Sequence, residues 1–184
     1  MTIEELQQRL GLTVDGGFGP LTAKALAVAL LDRRQRPELL ALRLSPNFTL
    51  GELTRSDTAK ARGLANMPDW QQLLALHALC HAILEPVRAR FGPVRTTSAF
   101  RCFTPDSQHG KGEAADFEVP GVPNLTVAIW IRDHLAFDQL ILEAWRDDDA
   151  NAGWIHASFR ALRLRYQVLR TATGRPPYLV GLPH

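Results

Sequence analysis

Apolar residues recur at helical spacing through the first half of the chain and crowd into short β-branched runs in the second. In "IEELQQRLGL" they fall at Ile3, Leu6 and Leu10, the period of an amphipathic helix. Asp15-Gly16-Gly17 and Gly19-Pro20 follow, which is turn chemistry. Pro20 suits the first position of a second helix, where a missing N–H costs nothing, and "LTAKALAVALLDRRQ" continues it. Residues 1–36 are thus predicted as a helix, a glycine turn and a helix. Further on, Thr49 and Glu52 have the spacing of a capping box for a short helix. The longest helix is expected over "DWQQLLALHALCHAILEPVRARFG". Leu73, Leu76, Cys80, Ile83 and Val87 form its apolar stripe, with Asp69 as N-cap, a kink at Pro86 and a stop at Gly92.

Beyond Gly92 the pattern changes. "VRTTSAF", "AADFEV", "FDQLILEAW", "WIHASF" and "RLRYQVLR" read as strands, rich in β-branched and aromatic residues. "NLTVAIWIRDHLA" reads as a helix capped by Asn124. Helices first and strands later predict an α+β fold, a small, mostly antiparallel sheet with packed helices. The 184 residues suffice for one well-buried domain, assigned to residues 44–184, plus the N-terminal segment.

Charge narrows the partners. A net charge of +2, with no Lys/Arg-rich run, argues against nucleic acid. No stretch approaches the roughly 18 apolar residues that span a bilayer, so membrane insertion is not expected. "MTIEELQQRLGL" is charged and amphipathic rather than a secretory signal. A monomer made in the cytoplasm, reaching any outside target only after release, is the expectation. Cys80 and Cys102 make neither a disulfide framework nor a CxxC zinc pair.

The stretch with most chemistry is "SQHGKGEAAD", Ser107 to Asp116. A catalytic zinc takes three protein ligands and keeps a position for water; His109 and Asp116 supply a nitrogen and a carboxylate. Gly110 and Gly112 let the chain turn after His109, and Ser107 can bond His109 or its backbone from outside. A third ligand has to come from His77, His81, His134, His156 or His184. His77 and His81 are four residues apart but lack the Glu of HExxH, and His134 ends a helix, where an imidazole bonds the last carbonyls. His156 stands out. If "FDQLILEAW" and "GWIHASF" form a hairpin turning between Asp149 and Ala150, Glu143 lies directly opposite His156, a carboxylate beside a nitrogen ligand, as zinc hydrolysis requires. Asp147, Asp148 and Asp149 are the alternative acids.

These residues resemble a known family. "SQHGKGEAAD" is similar to the SxHxxGxAxD signature of the zinc D-Ala-D-Ala carboxypeptidases, a family that also contains phage endolysins. "LSPNFTLGELTRSDTA", "LEPVRARFGPVRTTSAFR", "FDQLILE" and "GWIHASF" resemble its compact branch in the same order, over roughly residues 44–160. The resemblance implies that His109, Asp116 and His156 hold Zn²⁺ and that Arg101, in Ser98-Ala99-Phe100-Arg101, binds the substrate's carboxylate, a task a planar guanidinium fits. The implied substrate is the peptide stem or cross-link of bacterial peptidoglycan, and the implied role that of an endolysin. A virion-associated enzyme, a D-Ala-D-Ala carboxypeptidase and a non-catalytic wall-binding module are the alternatives. Many relatives carry an acid three positions before the second His, where this chain has Gly153; Glu143 is therefore expected to be the general base. "LQQRLGLTVDGGFGPLTAKAL" resembles a peptidoglycan-binding repeat.

Overall fold

The computed structural model describes residues 1–149 and 151–183. Thr2 and Glu5 form a capping box at the start of α1 (Ile3–Arg9). The buried Gln7 side chain organises the turn that follows. Its oxygen accepts from the Asp15 and Gly16 N–H groups, and its nitrogen donates to Asp15 Oδ1 and the Gly17 carbonyl. Pro20 opens α2 (Pro20–Ala29). Leu6, Leu26 and Leu30 are fully buried and join the same core as Leu73 and Leu76, while Phe18 stacks on His77.

A short α3 (Arg36–Leu39) and a hairpin of β1 (Arg43–Ser45) and β2 (Phe48–Thr49) come next; both are too brief to leave a period in the sequence. Thr49 and Glu52 make the expected capping box on α4 (Leu50–Thr54), and Ser56 caps α5 (Asp57–Ala61). Asp69 caps α6 (Trp70–Leu79) as expected, and Gly92 ends α7 (Glu85–Phe91). Between them Cys80–Leu84 is π-helical, with the Glu85 N–H bonded to the Cys80 carbonyl. Pro86 has no N–H to offer the preceding turn, so the irregularity expected at Pro86 falls one turn earlier, as a widened turn.

The remaining elements are β3 (Arg95–Ser98), β4 (Ala114–Glu118), α8 (Asn124–His134), β5 (Gln139–Glu143), β6 (Trp154–Ser158), β7 (Gln167–Arg170) and β8 (Leu179–Val180). The six strands β3 to β8 form one sheet in the order β3-β4-β6-β5-β7-β8, antiparallel except for the β5–β7 pair. The fold is α+β. Ala115, Phe117, Leu140, Leu142, Ile155 and Ala157 on one sheet face are buried in the main core. With the period of two in a strand, Asp116, Ile141, Glu143 and His156 fall on the other, where they line a cleft. No helix among the described residues is long and apolar enough to cross a membrane.

Two local expectations are corrected. Asn124 is the first residue of α8 and makes no cap; its side chain donates instead to the carbonyls of Ala152 and Gly153, pinning the β5–β6 connection. The hairpin pairs Glu143 with Trp154 and Ile141 with His156, two residues away from the expected Glu143–His156 pair. Ala144 and Gly153 take positive φ of 49° and 72° just outside the paired residues, so the strands part sooner than an ideal tight turn requires. A shift of two residues preserves the face, and Glu143 stays on the side of His156.

Candidate metal centre

Asp116, in the middle of β4, pairs directly with His156 of the adjacent β6. His109 reaches the same point from the β3–β4 connection. Asp116 Oδ1 lies 3.0 Å from His156 Nδ1 and 3.2 Å from His109 Nε2, and the two ring nitrogens are 3.2 Å apart. All three residues are buried. Among the described residues they form the one group of three or more His, Cys, Asp or Glu side chains placed to hold a metal ion together. His77 and His81 contact each other, ring to ring at 4.6 Å, and His134 Nδ1 bonds the Trp130 carbonyl. His184 lies outside the described residues.

The outer bonds of the two rings decide what they present inward. His109 Nδ1 is 2.7 Å from the Ala99 carbonyl, which only accepts, so Nδ1 carries the proton and Nε2 faces the cluster. His156 does the reverse, with Nε2 3.0 Å from the Gln108 side-chain oxygen and Nδ1 inward. A proton or a cation therefore competes for the same inner position. Burial lowers the His156 pKa, favouring the neutral ring, against the opposing pull of Asp116. Burial would raise the Asp116 pKa, but hydrogen bonds and charge from His109 and His156 outweigh it and hold the carboxyl well below its ordinary range. A carboxylate and two imidazole nitrogens converging in a buried site are the donor set that suits zinc.

Around this cluster stand the other expected residues. Glu143 is buried, and its Oε2 has no hydrogen-bond partner among the described residues. Burial first, and the nearby Asp116 charge second, push its pKa up to about 7, with Arg101 pulling the other way. Arg101 donates from Nε to Ser98 Oγ at 2.8 Å, and its Nη2 pairs with Asp116 Oδ2 while lying 3.2 Å from His109 Nε2. Its guanidinium is the cation beside the cluster. Ser107 does not bond His109: its hydroxyl donates to the Thr104 carbonyl and accepts from the Gly110 N–H, closing the turn that carries His109. That turn is tight enough that a Cβ on Gly110 would sit 2.0 Å from the Thr104 carbonyl oxygen. Asp148 and Asp149 are exposed or nearly so and pair with Arg146.

The cleft holds about 290 Å³ and is also lined by Gln108, Trp154, Gly174 and Tyr178. Sequence reasoning gave none of these four a role. Gln108 occupies a variable position of the motif, and Gly174 and Tyr178 lie in a Pro-containing tail with no strand period; the proximity of Gln108 to His109 was the only available signal.

A buried carboxylate–imidazole cluster on an open sheet face, beside a lone carboxyl and an arginine, defines a metallohydrolase-like site. A protein-family model described as Peptidase M15 matches residues 46–156, more than half of the chain and all the residues of the cluster. The chain belongs to the peptidase M15 family, and its activity class is that of a peptidase. No curated protein matches the chain.

Proposed function

We propose that this peptidase depends on zinc and hydrolyses the peptide stem or cross-link of bacterial peptidoglycan, in the manner of an endolysin. The observation that carries the reading is the convergence of His109 Nε2, His156 Nδ1 and the Asp116 carboxylate beside the Glu143 carboxyl group, whose buried Oε2 has no hydrogen-bond partner among the described residues. In this reading those three residues hold the metal, which supplies a Lewis acid for a water molecule and a scissile carbonyl.

The protein's own groups do the rest. Glu143 accepts the proton of the attacking water and later passes it to the leaving amine, and its raised pKa suits a group that must both take and give a proton near neutrality. Arg101, fixed through Ser98, meets a carboxylate of the peptide stem. Trp154 and Tyr178 line the cleft beside it. Residues 1–36 serve as a wall-binding segment, whose helix α2 exposes Leu21 and Val28.

Digestion of purified peptidoglycan, with mass spectrometry of the released fragments with and without a chelator, tests this. New amino and carboxyl ends that appear only without chelator are expected and identify the bond. Intact walls after incubation with zinc-loaded protein would overturn the reading.

A further inference from the structure

Behind the cluster, a chain of hydrogen bonds runs from His156 to the protein surface. Gln108 stands at its centre. Its amide nitrogen is 2.8 Å from Asp138 Oδ2 and 2.8 Å from Ser158 Oγ. The Ser158 hydroxyl has the Gln139 carbonyl to donate to, and it accepts from the Gln139 N–H. Asp138 is completely buried and receives Arg165 through Nε at 2.9 Å, Nη2 at 2.6 Å and the backbone N–H at 3.1 Å. A carboxylate held this way only accepts, and so Gln108 must turn its NH₂ group toward Asp138 and Ser158. Its oxygen then faces His156 Nε2.

We propose that Gln108, Asp138 and Arg165 form a positioning relay that fixes the ring orientation and tautomer of His156, reserving Nδ1 for the metal. The inference rests on the zinc reading above for its purpose, though not for its geometry. A ring with its proton on Nε2 leaves the Nδ1 lone pair pointing at Asp116 and His109; the other tautomer would put a hydrogen where the ion belongs. Each link removes one freedom: Arg165 orients the Asp138 carboxylate, Asp138 and Ser158 set which way the Gln108 amide faces, and Gln108 sets the imidazole. Ser158 and Arg165 lie beyond residues 46–156, so the chain outside the family match reaches the metal site through this relay.

The test uses the full chain. Ring ¹⁵N spectra of the metal-free protein, at a pH where His156 is neutral, are expected to show the Nε2–H tautomer. Gln108→Leu removes the acceptor, and a population of Nδ1–H is expected to appear. Zinc affinity, measured by competition with a chromophoric chelator, is expected to fall roughly 10–100-fold, as it does when the partner of a ligating histidine is lost. Arg165→Gln, at the half-exposed end of the relay, keeps a foldable protein and is expected to weaken zinc in the same direction but less. A role confined to packing would lower the melting temperature and leave tautomer and affinity unchanged. Wild-type tautomer together with wild-type affinity in both variants would overturn the relay. A wild-type chain that shows the Nε2–H tautomer yet binds no zinc would overturn the zinc reading while upholding the hydrogen-bond geometry.

Discussion

Gly153 stands three positions before His156, and the structure gives a physical reason for its identity. Its φ is +72°, and a Cβ built on it would lie 1.7 Å from the Glu143 carbonyl oxygen and 2.8 Å from the Ala144 carbonyl carbon. Both atoms belong to backbone, which cannot swing aside as a side chain would. Gly153→Ala should therefore incur two penalties. A left-handed conformation costs an L-residue roughly 1–2 kcal/mol, and prising apart a packed turn costs about 1–3 kcal/mol. The sum, roughly 2–5 kcal/mol, corresponds to a melting point lower by about 6–15 °C for a domain of this size. Differential scanning calorimetry, with urea unfolding as a second measure, reads it directly. Gly153→Glu should unfold at least as easily and should fail to rescue Glu143→Ala in a wall-lysis assay, because an acid at this position has to displace the strand that carries Glu143. A Gly153→Ala protein melting within about 2 °C of the wild type, less than about one kcal/mol would produce, would show that the turn is plastic and refute the argument.

Glu143→Gln should keep zinc in the loaded protein yet lower peptidoglycan hydrolysis by about 100-fold or more, the usual worth of a general base; muropeptide release against bound zinc by atomic absorption separates the two. His156→Ala should lose zinc while its far-ultraviolet circular dichroism stays that of the wild type. Asp138→Asn should change the pH dependence of stability. Burial would raise the Asp138 pKa, but the Arg165 hydrogen bonds and charge outweigh it and the folded value is depressed. Its stabilisation is thus present above the ordinary carboxylate value of about 4 and lost as pH falls through the folded value, so urea midpoints measured from pH 6 downward should fall less steeply in the variant. Gly110→Ala, which sets a Cβ against the Thr104 carbonyl, should weaken zinc as well as stability, since the turn it distorts carries His109.

Much of the site was legible because its residues are close in sequence or have distinctive chemistry. His109 and Asp116 share one short motif, and His156 lies in a strand whose neighbours are apolar. The helix caps at Thr49 and Asp69 are local signals and appear as expected. The register of β5 on β6 was not local. It depended on where the strands part at Ala144 and Gly153 and on Asn124 holding the connection from another element. The expected Glu143–His156 pair gave way to a two-residue offset that sets Ile141 opposite His156, and on its other side His156 pairs with Asp116, from a strand some forty positions earlier in the chain.

The sequence by itself determined the α+β class, the helix starts at Pro20, Thr49 and Asp69 and the chemical types in the candidate metal cluster, because periodicity, capping and ligand chemistry are properties of residues and their near neighbours. Only the tertiary structure decided which nitrogen of each histidine faces the cluster, that the Glu143 Oε2 is left without a partner among the described residues and how Gln108, Asp138 and Arg165 stand behind His156. Those depend on hydrogen-bond direction between separate segments of the chain, from His109 and Ala99, 10 residues apart, to Gln108 and Asp138, 30 apart, and direction is set by packing, which no local pattern encodes.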